Sequence, residues 1–233
     1  MSQLYLIPCN IHEEGFNHLP KIIESSLEEI EILITERART SRRFIKKLIP
    51  TFDLNRIQFI ELDKHDSAAH FPEIKKAFSE KRMVGLMSEA GCPCIADPGG
   101  QIVSVARNYD YRIHPLTGPS SILLGLMASG MNGQQFTFHG YLPIKTQALS
   151  AKLKEISRNC KKDNSTQIFI ETPYRNVKLL EGIKKYVSPE LSLSISQNLS
   201  GPDGMSQTKK INEWQTSEIE KVPATFFIGK ILN

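Results

Sequence analysis

Residues 83 to 100 read MVGLMSEAGCPCIADPGG. Met83 to Met87 form a short continuous apolar run, the pattern of a strand buried on both faces of a parallel sheet. The thirteen residues that follow, Ser88 to Gly100, hold three Gly and two Pro. That is a long connection where a strand-to-helix loop usually runs about 2 to 6 residues, and long structured loops of this kind are commonly functional. Gly91 lets the backbone approach a ligand closely, while Pro93 and Pro98 stiffen the loop on either side.

Working outward, strand patterns at 4–9, 30–35, 56–62 and 111–116 surround this segment. Helical periodicity falls between them at 19–27, through Phe44, Ile45, Leu48 and Ile49 up to Pro50, at 68–80 and at 101–108. Strands alternating with helices predict an α/β architecture in which the first domain is a doubly wound parallel sheet. After a helix at 121–129 the rhythm changes. Strands are predicted at 136–140, 167–171, 191–196, 207–211 and 224–232, and helices at 147–159, 176–187 and 214–220. The turn-rich SGPDG at 200–204 joins two strands directly, so the second sheet is expected to be mixed. LTGP at 116–119 breaks the chain, which places the two α/β domains at 1–117 and 118–233.

The chain has 233 residues, 40% hydrophobic and 23% charged, so each domain is large enough to bury a core. The longest apolar run, Ile122 to Ala128, is far short of the ~20 residues of a membrane span, and the N-terminal MSQLYLIPCN lacks a secretory pattern. A cytoplasmic protein with four reduced, separate cysteines is expected, and no zinc-type Cys or His spacing is present. The net charge of +4 divides as −1 over residues 1–116 and +5 over 117–233. From Arg37 to Lys47 there are six basic residues and no acid, a pattern that serves either as a solvated helix face or in phosphate contact.

In an open parallel sheet, ligands sit beyond the carboxyl ends of the strands, which singles out the loops at 88–100 and 115–121. The second ends in Ser120 and Ser121 at a helix start, where one hydroxyl can cap the free N–H groups. There is no GxGxxG after the first strand and no GxxxxGK[ST], which disfavours a dinucleotide enzyme and a P-loop nucleotidase. Neither a nucleophilic triad nor a dinuclear metal set is apparent. The pattern favours chemistry by positioning over covalent or metal catalysis.

The run at 83–130, with SEAGCPCIADPGG, PLTGP and SILLGLMASG in order, resembles the tetrapyrrole methylase superfamily. More narrowly it is similar to the ribosomal RNA small subunit methyltransferase I branch, with its SDAGTPLISDPG, PLPGP and SALSASGL. LYLIP at the start, Glu36 with Arg39, FHGYLP at 138–143 and FIETPYR at 169–175 extend the likeness over most of the chain. The resemblance implies an S-adenosylmethionine-dependent methyltransferase, homodimeric, with the cofactor in the cleft between two α/β domains. Carried over by position, the cofactor contacts would be Ile11, Glu89, Ala90, Gly91, Cys92, Ile95, Ser120, Ser121, Glu171, Pro223 and Ala224. Glu36, Arg39, Arg42, Arg43 and Arg175 are the substrate-facing candidates.

No catalytic residue is assigned by this reading. A sulfonium methyl is already an activated electrophile, so the protein has to align it with its acceptor. If the acceptor is a ribose hydroxyl, Glu89, Asp97 and Glu171 are the candidate hydrogen-bond acceptors. Departures from the branch pattern lie at His12, where a Gly is usual, at Glu89 and Cys92 within SEAGCP, and at 197–204, which lacks the usual Glu and Lys pair. The leading expectation is methylation of RNA at a 16S rRNA ribose 2′-hydroxyl, as part of rRNA processing. The other readings are a methylase of a small molecule such as a tetrapyrrole, and a cofactor-binding regulatory module without turnover.

Overall fold

A computed structural model of the chain describes residues 2–62 and 70–232. It consists of two compact units, Met1–Ser120 and Ser121–Asn233. In the first, strands β1 (Gln3–Ile7), β2 (Ile32–Thr35), β3 (Gln58–Glu61), β4 (Val84–Met87) and β5 (Arg112–Pro115) form a parallel sheet in the order β3-β2-β4-β1-β5. Helices α1 (Ile22–Glu29), α2 (Ala38–Leu48), α3 (Phe71–Ser79) and α4 (Gly99–Arg107) lie between them in the chain. Every residue of β2 and β4 is buried, as their unbroken apolar sequences require.

Alternation along the central strands builds two cores. Leu4, Ile32 and Ile34 join Ile74, Phe78 and Ile102 in one cluster, whereas Ile7 and Leu33 join Ile23, Phe44 and Ile45 in the other. Because successive side chains of a strand point to opposite faces, this division is the doubly wound arrangement. The helix expected to start at Ala68 is described from Phe71 onward; its expected first residues lie outside the described ones.

In the second unit, β6 (Phe136–Tyr141), β7 (Thr166–Glu171), β8 (Ser192–Gln197), β9 (Met205–Lys210) and β10 (Ala224–Gly229) form a sheet in the order β6-β7-β10-β8-β9. The β6–β7 pair is parallel and the others are antiparallel, so the sheet is mixed. Helices α5 (Ser121–Ser129), α6 (Thr146–Asp163) and α7 (Asn176–Tyr186) complete it. Leu153, Ile156 and Ile183 pack with Phe169, Ile195, Trp214 and Phe226 in the main core. The Phe169 and Phe226 rings stack at 5.5 Å.

The helix expected at 214–220 is not formed. Two short 3-10 turns, Ile211–Glu213 and Thr216–Glu218, take its place. The reason lies in the acids and the indole. The Glu213 and Glu218 carboxylates accept the N–H groups of Lys210 and Gln215 at 3.2 and 2.8 Å, closing each segment after one turn. Between them Trp214 is fully buried, and its Nε1 donates to the Leu193 carbonyl at 3.0 Å. Burying the indole fixes the backbone where a helix would have to continue.

No described helix is long and apolar enough to cross a membrane.

Candidate functional site

The loops leaving β1, β4 and β5 converge at Gly91. The Cys9 N–H donates to the Gly91 carbonyl at 2.9 Å, and the Cys9 thiol reaches the Ser88 carbonyl at 3.2 Å. Cys92 Sγ lies 3.6 and 3.5 Å from the carbonyls of Gly118 and Pro119. Gly91 has φ +71°, and a Cβ there would stand 3.4 Å from both Ile11 Cγ2 and the Pro119 carbonyl. Close approach also dictates Gly118, where a Cβ would come within 2.2 Å of Pro8 Cβ. Thus Ile11, Gly91, Cys92 and the residues just before Ser120 come together beyond the carboxyl ends of β1, β4 and β5. Ala90 is exposed beside them, as is Ile95.

The long loop is closed by Asp97. Its Oδ1 accepts from the N–H of Cys94 at 2.9 Å and of Gly99 at 2.7 Å, and Oδ2 also accepts from Cys94 at 2.9 Å. Asp97 therefore holds the chain at the entry to α4. Burial pushes the Cys94 thiol up to about 11, reinforced by the Asp97 charge. Cys9 is raised further, chiefly by burial and then by the nearby Glu89. These thiols stay protonated at neutral pH, consistent with the four free cysteines.

Glu89 differs from Asp97. Its Oε1 is buried and has no hydrogen-bond partner among the described residues, while its backbone N–H points to Glu36 Oε1 at 3.4 Å. Both lie near α2, whose inward residues are Ala38, Ser41, Phe44 and Ile45. Arg39, Arg42, Arg43, Lys46 and Lys47 occupy the exposed side of that helix. Among the described residues none of the five forms an ion pair with an acid. Arg42 lies over the Phe59 ring at 4.5 Å.

A recess of about 270 Å³ opens between the ends of β1 and β4 and helix α2; its lining includes Asn10, Glu13, Arg43, Lys47, Ser88 and Glu89. Lys47 belongs to the basic run at 37–47, read as a solvated face or a phosphate contact, but it is not among the substrate-facing candidates. The available signal is its spacing, one helical turn after Arg43 in a run without acids.

In the second unit, the predicted residues meet at the ends of β7 and β10. Ala224 is the register partner of both Glu171 and Gln197. The side chains of Asn176 and Gln197 bond the Glu220 and Val222 carbonyls at 2.8 to 3.4 Å, fixing the segment that leads through Pro223 into β10. Glu171 Oε1 accepts from the N–H and hydroxyl of Thr172 at 2.7 and 3.1 Å. Its Oε2 is 3.0 Å from Arg175 Nη2, which also donates to the Leu142 carbonyl at 3.2 Å. Arg175 is thus turned inward onto Glu171. Ser121 is the first residue of α5.

Solved structures share this architecture. The methyltransferase CobJ matches with a TM-score of 0.65 and 13% identity, over 99% of this chain and 95% of that one. A uroporphyrin-III C-methyl transferase from Thermus thermophilus, complexed with S-adenosyl homocysteine, matches with a TM-score of 0.60 and 16% identity over 98% of each. The fold is that of the tetrapyrrole methylases. Within this methylase fold, the sequence is similar to proteins named ribosomal RNA small subunit methyltransferase I. The Vibrio cholerae protein is 28% identical over 197 residues, 84% of this chain and 65% of its own length. The Synechocystis protein is 24% identical over 200 residues, 86% and 68% respectively, and that of Escherichia coli O157:H7 is 29% identical over 182, 78% and 60%. The chain therefore spans about two thirds or less of the curated relatives it matches. No protein-family profile matches the sequence.

Proposed function

We propose that the chain is an S-adenosylmethionine-dependent methyltransferase acting on RNA, with a ribose 2′-hydroxyl of small subunit ribosomal RNA as acceptor. The observation that carries the reading is the convergence of three strand-end loops on Gly91 beside a helix face whose charged residues are all basic. The residues suit such a cofactor. At Gly91 bare backbone with positive φ meets Ile11 and the Pro119 carbonyl, and Ala90 and Ile95 offer exposed apolar surface next to it. In the first unit we assign cofactor contact to Ile11, Glu89, Ala90, Gly91, Cys92, Ile95 and Ser120. By resemblance alone, Ser121, Glu171, Pro223 and Ala224 are assigned to it in the second.

The bound cofactor would supply a methyl group on a sulfonium, already activated toward an oxygen nucleophile. What remains for the protein is orientation, exclusion of water and acceptance of a proton, and orientation alone can supply several kcal/mol, up to ~7–11 in favourable cases. The basic face of α2 suits an anionic acceptor, because phosphate contacts dominate nucleic-acid affinity. The names of the relatives support a place in rRNA processing; a homodimer in the cytoplasm is proposed from the sequence resemblance alone.

Calorimetry with S-adenosylhomocysteine tests cofactor binding, and absence of heat at millimolar ligand refutes it. Mapping ribose methylation of small subunit rRNA in a deletion strain tests the acceptor. An unchanged map overturns the rRNA assignment.

A further inference from the structure

Three carboxylates near strand ends are equivalent in the sequence, and the structure separates them. Asp97 is occupied by the N–H groups of Cys94 and Gly99, and Glu171 by Thr172 and Arg175. Glu89 alone of the three has a buried oxygen, Oε1, with neither a hydrogen-bond nor an ion-pair partner among the described residues, and it lines the recess beside α2. A buried carboxylate oxygen without a donor is destabilising unless a ligand or water supplies one.

The same recess holds two cations. Arg43 is exposed and pairs with no acid among the described residues. Lys47 Nζ donates one hydrogen bond to the Glu13 carbonyl at 2.8 Å and stands 4.6 Å from the Phe16 ring, leaving two of its three N–H donors. An acceptor oxygen lacking a donor and two cations in the lining of one recess complement a group that carries both a hydroxyl and a phosphate. The volume of about 270 Å³ falls just under the ~300 Å³ lower bound of small-molecule sites. That suits one nucleotide better than a tetrapyrrole macrocycle.

We propose that this recess seats the acceptor nucleotide, with its phosphate on Arg43 and Lys47 and its ribose hydroxyl donating to Glu89 Oε1. The assignment rests on the RNA methyltransferase reading above. As the hydroxyl oxygen bonds to the methyl carbon of a sulfonium donor, its proton passes to the Glu89 carboxylate. The carbon–sulfur bonding pair returns to sulfur, leaving a neutral thioether and a methyl ether.

The test uses the full chain and fluorescence anisotropy with labelled single-stranded fragments of small subunit rRNA, first without cofactor. The double variant Arg43→Ala/Lys47→Ala is expected to bind at least tenfold more weakly. Its dependence of log affinity on log salt should flatten by about 1.4, the amount for two lost phosphate contacts on a single strand. Lys75→Ala/Lys76→Ala, which removes the same charge from α3, should keep wild-type affinity. Glu89→Gln, which keeps a side-chain oxygen to accept the ribose hydroxyl, is expected to bind RNA within threefold of wild type, yet lose methyl transfer at saturating S-adenosylmethionine by roughly 10²-fold or more. Wild-type affinity and salt slope in the Arg43/Lys47 variant, or wild-type transfer in Glu89→Gln, overturns the seat. If the wild-type protein binds no RNA at all, the RNA reading itself falls and the seat falls with it.

Discussion

Arg175 Nη2 stands 3.0 Å from Glu171 Oε2, and the Glu171 side chain has no exposed surface. The two lie four residues apart across a turn, with Glu171 ending β7 and Arg175 preceding α7. Removing one member of a buried pair strands the other charge, whereas removing both does not. Arg175→Ala is therefore expected to destabilise the second unit by about 3–5 kcal/mol. The double variant Arg175→Met/Glu171→Gln should lose much less. Urea unfolding compares the two, and a single variant as stable as wild type would contradict the pairing.

Gly91 offers a different kind of test, since its φ of +71° is a left-handed conformation. An Ala there pays roughly 1–2 kcal/mol of backbone strain and brings a methyl to 3.4 Å from Ile11 and the Pro119 carbonyl. Gly91→Ala is expected to lower stability by that amount and to weaken S-adenosylhomocysteine by about tenfold, equivalent to ~1.4 kcal/mol. Gly100→Ala is the control, because nothing lies within 4 Å of its added methyl. Thermal melts and calorimetry read both effects.

These sites differ in how far the sequence discloses them. Strands such as Val84–Met87 are legible because burial on both faces demands an unbroken apolar run. The strand order β3-β2-β4-β1-β5 is not, since Leu4 pairs with Val84 across a separation that no local period encodes. The 214–220 segment has a helical apolar pattern, but capping acids and a buried indole override it. Glu89, Asp97 and Glu171 look alike in one dimension, and only their partners tell them apart. The convergence at Gly91 was foreseeable from strand ends and glycine placement, whereas the inward turn of Arg175 depends on a tertiary contact with the Leu142 carbonyl.

His139 makes the second unit sensitive to pH. Gln167 Nε2 donates to Ser165 Oγ at 2.8 Å, so its Oε1 faces His139 Nε2 at 2.7 Å and that ring nitrogen carries the hydrogen. Burial holds the imidazole below its ordinary value of 6.5, a shift that Lys152 assists and the Gln167 bond opposes. Between the folded value and about 6.5 the unfolded chain binds more protons, so stability rises with pH through that window and falls on acidification. Urea midpoints should therefore decline from about pH 7.5 to about pH 5.5, and the decline should be smaller in His139→Gln. Equal declines in the two proteins would remove His139 as a source.

Trp214 is the single tryptophan of the chain, fully buried in the second unit. Its indole donates to the Leu193 carbonyl at 3.0 Å, and its own carbonyl accepts from Lys184 Nζ at 2.7 Å. Trp214→Ala removes a large packed volume, with an expected loss of about 3–5 kcal/mol. Trp214→Phe keeps much of the packing but leaves the Leu193 carbonyl without its side-chain donor, for a loss of about 1–3 kcal/mol. In the wild type, indole emission should be blue-shifted and should move to the red only as the second unit unfolds. Comparing that transition with far-ultraviolet circular dichroism, which reports both units, tests whether they melt together. If the indole already emits in the red in the native protein, the burial on which both variants depend is wrong.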